Sequence, residues 1–156
     1  MSVENVKKYL KSFGLDDKVK EFQVSSATVE LAAAAAGVIP ARIAKTLSFK
    51  TGEGAILIVT SGDAKVDNKK YKAIFGKKAK MLTPEEVIAY TGHAVGGVCP
   101  FDIPDESVEV YLDVSMKRFE TVLPAAGSAN SCVVLTPDEL EKVSHAKEWI
   151  DICTLI

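Results

Sequence analysis

The sequence predicts a mixed α/β (α+β) domain in which a single curled, barrel-like mixed sheet wraps a core and is flanked by helices. Three observations lead there. A continuous apolar run, Ala55-Ile56-Leu57-Ile58-Val59-Thr60, reads as a strand buried on both faces. Two segments, Thr83-Pro84-Glu85-Glu86 and Thr136-Pro137-Asp138-Glu139, share one helix-start signature. Each has a capping hydroxyl, proline at the first helical position and acids near the positive end of the helix dipole. Helix and strand signals also alternate along all 156 residues without a linker, repeat or low-complexity tract. Residues 1–156 are therefore expected to form one domain.

Val3 to Phe13 reads as an amphipathic helix, with Val6, Tyr9, Leu10 and Phe13 on one side and Gly14 ending it. Phe22-Gln23-Val24 reads as a short strand. Thr28 to Ala36 reads as a second helix, with Ser26 or Thr28 as N-cap and Gly37 closing it. Pro40 separates that helix from a strand over Ile43 to Lys50. Gly52-Glu53-Gly54 makes the turn into the apolar strand. Asp67 to Phe75 has helical spacing, with Tyr71, Ile74 and Phe75 inward and lysines outward. The helix opened at Thr83 ends at Gly92. Val108 to Asp113, Thr121 to Leu123 and Cys132 to Leu135 read as strands, and the helix opened at Thr136 runs to about Lys142.

Composition narrows the function. Apolar residues make up 47% of the chain, enough to fill a core at this length. The net charge of -2 supplies no global basic field, so a nucleic-acid partner would have to use a local patch. Lys65, Lys69, Lys70, Lys72, Lys77, Lys78 and Lys80 offer one, although a run of this kind is more often simply a solvated face. Three widely spaced cysteines, Cys99, Cys132 and Cys153, suit a reduced cytosolic protein. Without a CxxC pair, and with only His93 and His145 beside them, they argue against zinc. The start Met1-Ser2-Val3-Glu4-Asn5 lacks the pattern of a signal peptide. No apolar run approaches the ~20 residues of a membrane span.

Lys45 is the most informative residue. In the strand over residues 43–50, Ile43, Lys45, Leu47 and Phe49 share one face. That face is otherwise apolar and should look inward. A buried ammonium loses hydration, at a cost of several kcal/mol unless an anion offsets it. No Asp or Glu in the strand supplies one. The anion belongs either to a ligand or to a distant carboxylate, unless Lys45 snorkels to the rim.

Two loops could face such a ligand. Gly92 to Phe101 contains Gly96-Gly97, whose uncovered amides can meet an oxyanion or a carbonyl oxygen, and Pro100 stiffens its exit. Ala125 to Ser131 is small and polar, able to offer amides and hydroxyls to a phosphate or carboxylate. Each also reads as a plain connection. His93 and Cys99 invite a Cys-His nucleophile, but no third orienting group is evident. Asp113 reads as a strand-end cap or a partner for a loop amide or Lys45. There is no Gly-x-Ser-x-Gly elbow, P-loop or dinucleotide fingerprint.

The order of these pieces resembles the YbaK-type aminoacyl-tRNA deacylases, a family that includes the editing domain inserted in bacterial prolyl-tRNA synthetases. The pieces are Lys45-Thr46-Leu47, the apolar strand Ile56 to Val59, Gly96-Gly97-Val98-Cys99-Pro100-Phe101, Gly127-Ser128 and Thr136-Pro137-Asp138-Glu139-Leu140. The segment Ala146 to Ile152 also looks like the family's ending. The likeness runs from about Ser26 to the C-terminus. It implies that fold, and a trans-acting cytoplasmic enzyme that hydrolyses the ester between a wrong amino acid and the tRNA 3′ adenosine. The implied substrate is tRNA for proline carrying a small non-cognate residue. Water, helped by the terminal ribose hydroxyl, attacks the carbonyl, with no metal, cofactor or covalent intermediate. The family's lysine falls on Lys45, which would hold the 3′ end. Its Gly-x-x-x-Pro loop falls on Gly96 to Pro100, with the Gly96 and Gly97 amides on the carbonyl.

The same resemblance places Phe22, Ser26, Thr28, Thr46, Val98, Pro100, Phe101, Gly127, Ser128 and Asn130 around the aminoacyl-adenosine end. An aminoacyl-tRNA synthetase is a possible partner, and a membrane is not. Two stretches depart from the family pattern. Val24-Ser25-Ser26-Ala27-Thr28 stands where an aromatic residue and a His-Pro step are common, and Gly127-Ser128-Ala129-Asn130 replaces a basic, glycine-rich loop. The alternatives are a catalytically silent module of the same fold that holds a tRNA end or a synthetase, and an esterase acting on a small aminoacyl ester.

Overall fold

The computed structural model describes residues 2–52 and 54–156. The turn residue Glu53 and the initiating Met1 therefore lie outside the described residues. Among the described residues there are five α-helices: α1 (Ser2–Lys11), α2 (Val29–Ala36), α3 (Asn68–Phe75), α4 (Pro84–Thr91) and α5 (Pro137–Ser144). The strands are β1 (Val19–Glu21), β2 (Ile43–Thr51), β3 (Gly54–Ser61), β4 (Ala64–Val66), β5 (Glu109–Asp113), β6 (Leu123–Pro124), β7 (Ser131–Val133), β8 (Glu148–Ile150) and β9 (Cys153–Leu155).

The main sheet is mixed, in the order β6-β2-β3-β5-β8, with β2 and β3 antiparallel and the remaining pairs parallel. Two-stranded pieces, β1-β7 and β4-β9, extend it. Single bridges between Val122 and Leu135 and between Ala125 and Cys132 fasten the segment around β7 beside the one around β6, which curls that side of the sheet.

The apolar run becomes the central strand because both of its faces are covered. Leu57 and Val59 join the larger core with Val6, Leu10, Val110, Leu112, Leu140 and Val143. Ile56 and Ile58 join a second core with Phe49, Tyr71, Tyr111 and Ile150. Each fully buried side chain of this size contributes roughly 1.5–3 kcal/mol through removal from water. Both Thr-Pro signatures form complete capping boxes, Thr83 with Glu86 and Thr136 with Glu139. Thr28 caps α2, and Gly37 closes it with φ +72°.

Several sequence expectations move. The strand expected at Phe22–Val24 lies at Val19–Glu21, where it pairs with β7. Its successor Phe22 still donates its amide to Asn130 O at 2.7 Å, but Val24 is 60% exposed. The strand expected at 121–123 is Leu123–Pro124, and the one at 132–135 is Ser131–Val133. Val122 and Leu135 instead exchange an isolated pair of backbone bonds, at 2.8 and 3.0 Å. Ile74 points outward at 43% exposure. α5 runs two residues past Lys142, to a left-handed His145. Strands β4, β8 and β9 had no sequence signal strong enough to be read.

Candidate functional site

A cavity of about 380 Å³ opens beside the outer edge of β2. Its floor is the stretch from Ile43 to Ser48. The entry to α2 (Ser26 to Val29, with Ala32), the 81–87 segment, the loop residues Val95, Gly96 and Val98, and the pair Ser131 and Cys132 form its walls. The walls are mostly apolar and the polar groups few, as in small-molecule sites generally.

Lys45 lines this cavity, half-buried. Opposite it across the sheet is Thr60, which is fully buried and whose Oγ1 lies 3.3 Å from both Ser115 Oγ and Cys153 Sγ. Among the described residues the ammonium has neither an ion pair nor a hydrogen bond. Burial lowers its pKa, and the acidic groups of Cys153, Asp63 and Glu30 oppose that shift from a distance. Asp63 is itself held by Arg118, at 2.6 and 3.0 Å. Asp113 serves as the strand-end cap, accepting from Ser115 N and Ile152 N at 3.0 Å each. Among the described residues no carboxylate pairs with Lys45; Asp63 and Glu30 act on it only from a distance.

Two hydroxyls share the anomaly. Ser26 Oγ and Thr46 Oγ1 are buried without a hydrogen-bond partner, and both residues line the cavity. Such a group costs ~1–3 kcal/mol when nothing satisfies it. Thr28, also at the wall, is engaged as the cap of α2, accepting from Leu31 N at 3.2 Å.

The glycine pair divides its labour. Gly96 lines the cavity with φ +97°, and no described group accepts from its amide. The Gly97 amide already donates to Ala94 O at 3.0 Å, which corrects the reading of both amides as open donors. Gly97 is required for another reason. A Cβ there would lie 2.7 Å from Ser128 N and Cα, so the two loops meet backbone to backbone only because no side chain intervenes.

Of the remaining predicted residues, Val98 lines the cavity and the others do not. Phe101 is fully buried in the larger core, and Pro100 is buried beside it. Gly127 takes φ +92° and Ser128 Oγ reaches Ser131 Oγ at 2.6 Å. Asn130 Nδ2 donates to Phe22 O at 3.1 Å, and Ser26 N donates to Ala129 O at 2.6 Å, tying the two departing stretches together. The structure does bring the Cys-His pair together, with Cys99 Sγ 3.5 Å from His93 Nε2, which also meets Phe101 O at 2.8 Å. What argues against a nucleophile is burial: both residues are buried away from the cavity lining, and the pKa of the Cys99 thiol is pushed up to about 12.

Sequence reasoning missed the apolar walls: Leu47, Met81, Leu82, Val87, Val95, Leu123 and Cys132. Their only signal is the exposure of Met81 (59%) and Val95 (65%), which is visible in three dimensions alone. Of the lysine patch, Lys70 is committed, to Asp151 Oδ1 at 3.0 Å and Cys153 O at 2.9 Å. Lys77, Lys78 and Lys80 are exposed and lead directly into Met81 and Leu82 at the cavity wall. Among the described residues no three His, Cys, Asp or Glu side chains are grouped to hold a metal ion. No described helix is long and apolar enough to cross a membrane.

Comparison with known proteins adds to this geometry. A family model described as "Aminoacyl-tRNA editing domain" matches residues 24–143. The protein YwhH of Bacillus subtilis (strain 168), uncharacterized by its name, is 54% identical over 98% of both chains. A proline–tRNA ligase of Thermotoga sp. (strain RQ2) is 30% identical over 83% of this chain, which spans only 22% of that enzyme. A solved structure described as a candidate trans-editing enzyme for prolyl tRNA synthetase superposes with a TM-score of 0.88 at 32% identity. It covers 98% of this chain and 97% of that one.

Proposed function

Because the chain belongs to the aminoacyl-tRNA editing domain family, we propose that it is a trans-acting deacylase that hydrolyses mischarged tRNA. The substrate in this reading is tRNA for proline carrying a small non-cognate amino acid, met in the cytoplasm. One observation carries it: a half-buried lysine, unpaired among the described residues, in the floor of a small cavity. A phosphate or ribose oxygen of the tRNA 3′ end supplies the partner that Lys45 lacks.

The 3′ aminoacyl end enters with its ester carbonyl toward the Gly96 amide. Water, aided by the terminal ribose hydroxyl, adds to the carbonyl carbon. The bond from that carbon to the ribose oxygen then breaks, the ribose oxygen takes the proton, and free amino acid and tRNA leave. No metal or covalent intermediate enters. The walls of Ala27, Val29 and Ala32 discriminate by size, and a single methylene is worth ~1–3 kcal/mol there.

The test is deacylation of a panel of mischarged tRNAs, tRNA for proline with Ala, Ser, Cys or Pro among them, by wild type beside Lys45→Ala. Loss of one misacylated species, sparing of prolyl-tRNA and silence of the variant support the reading. The engaged Gly97 amide favours a second reading, a silent module of the same fold that holds a tRNA end or a synthetase. Binding without turnover of any species would select it.

A further inference from the structure

The outer edge of β2 is covered in two places and open between them. Leu82 N donates to Ser48 O at 3.2 Å, and Lys50 N donates to Lys80 O at 2.7 Å. Even-numbered residues of β2 therefore direct their peptide groups away from β3. At the other end β6 pairs only with Ile43 and Ala44. Thr46 falls in the gap. The register with β3 is continuous from Ala44 to Thr51, so no bulge turns its peptide inward. Among the described residues nothing pairs with the Thr46 N–H or C=O. Its Oγ1 is likewise buried and unpartnered, as is Ser26 Oγ, in a residue 7% exposed on the facing wall. This open peptide lines the cavity one residue from Lys45.

A bare peptide on a strand edge is a template for one further residue. We propose that the aminoacyl group of the substrate completes the edge as a one-residue β-bridge to Thr46. Its α-ammonium donates to the Thr46 C=O, and its ester carbonyl accepts from the Thr46 N–H. The inference rests on the deacylase reading and names what that site reads. In an antiparallel bridge, one residue exchanges both bonds with the residue opposite. An amino group one carbon from an ester carbonyl has the same spacing as a peptide residue. The edge therefore recognises an α-amino acid ester as such, whatever its side chain, and leaves size to the apolar walls. The Thr46 N–H also remains on the carbonyl oxygen as negative charge develops there.

The substrate can be edited to test this. Whichever aminoacyl-tRNA the wild type hydrolyses is compared with its deamino counterpart, propionyl-tRNA for alanyl-tRNA. Each rate is divided by spontaneous hydrolysis of the same ester, because the α-ammonium itself activates the carbonyl. Loss of a charge-assisted hydrogen bond predicts a fall of about 10- to 100-fold in the corrected kcat/KM. Equal acceleration of both esters would overturn the bridge while leaving the deacylase reading intact. Failure to hydrolyse any aminoacyl-tRNA sinks that reading, and the bridge with it. A second arm compares Thr46→Val with the same chain carrying α-hydroxyisovalerate at position 46, which exchanges the N–H for an ester oxygen. With folding checked by circular dichroism, about a tenfold lower turnover is expected from the ester chain. Equal turnover overturns the N–H half of the bridge.

Discussion

Gly97→Ala should destabilise the fold at the point where the two site loops meet. The added Cβ would stand 2.7 Å from Ser128 N, 2.7 Å from Ser128 Cα and 2.8 Å from Ser128 C. All three are backbone atoms, so no side chain can swing aside. One of the loops must move, and overpacking of this kind costs ~1–3 kcal/mol. With an unfolding entropy of about 2.1 cal/mol/K per residue, 156 residues give roughly 0.33 kcal/mol/K. A loss of ~2 kcal/mol then lowers Tm by about 6 °C. Scanning calorimetry of wild type and variant measures this, and deacylation should fall as well because Gly96 and Val98 are carried with the loop. A Tm within about 1 °C of wild type would refute the reasoning, since it would mean that the loops are not in backbone contact.

Other expectations follow from the same geometry. Lys45→Ala should reduce turnover at least ~100-fold in the deacylation assay, while a full thermal scan still shows cooperative unfolding. Burial lowers the Lys45 pKa, so its charge, and turnover with it, should disappear on raising the pH below the ordinary lysine value of 10.5. Stability has the opposite sign: between the depressed folded pKa and 10.5 the unfolded chain binds more protons, so the Lys45 contribution grows as pH rises and vanishes in Lys45→Met, as denaturant melts across pH would reveal. Cys99, Cys132 and Cys153 are all buried, with pKa values pushed up to about 12, 11 and 11, so iodoacetamide at neutral pH should leave the native protein unlabelled by mass spectrometry. Lys77→Glu should weaken tRNA turnover and flatten its salt dependence by about one unit of log-log slope if that lysine meets a phosphate. Lys70→Glu should instead show in Tm, because Lys70 ties α3 to Asp151 and the Cys153 carbonyl.

What the sequence made legible was local or anomalous. Thr83 and Thr136 announced their helices because a capping box closes within four residues. The central strand was visible because an apolar run covered on both faces needs no pattern from its partners. Lys45 stood out because a lysine conflicts with its neighbours on the same face. The short strands were misplaced because three residues of β structure are decided by what pairs with them. Val19 to Glu21 is a strand only through Ser131 to Val133, more than a hundred residues away. The role of Gly97 was misread for the same reason: its meaning lies in the backbone of Ser128, not in its own segment. The cavity walls combine α2, β2, the 81–87 segment and β7, and no window of sequence contains them together.

The first helix has a consequence for what counts as the module. The family signature begins at residue 24 and stops at 143. Val6 and Leu10 of α1 are nonetheless fully buried in the larger core, and Tyr9 donates its hydroxyl to Val143 O across the molecule. Beyond the other boundary, β8 completes one edge of the main sheet, and Ile150 and Ile152 fill the second core. The stretch by which this protein is recognised and the stretch that packs its two cores are therefore different lengths. Cutting the chain at the edges of recognition would open both cores at once, so a transplanted module has to carry its unrecognised flanks to carry its site.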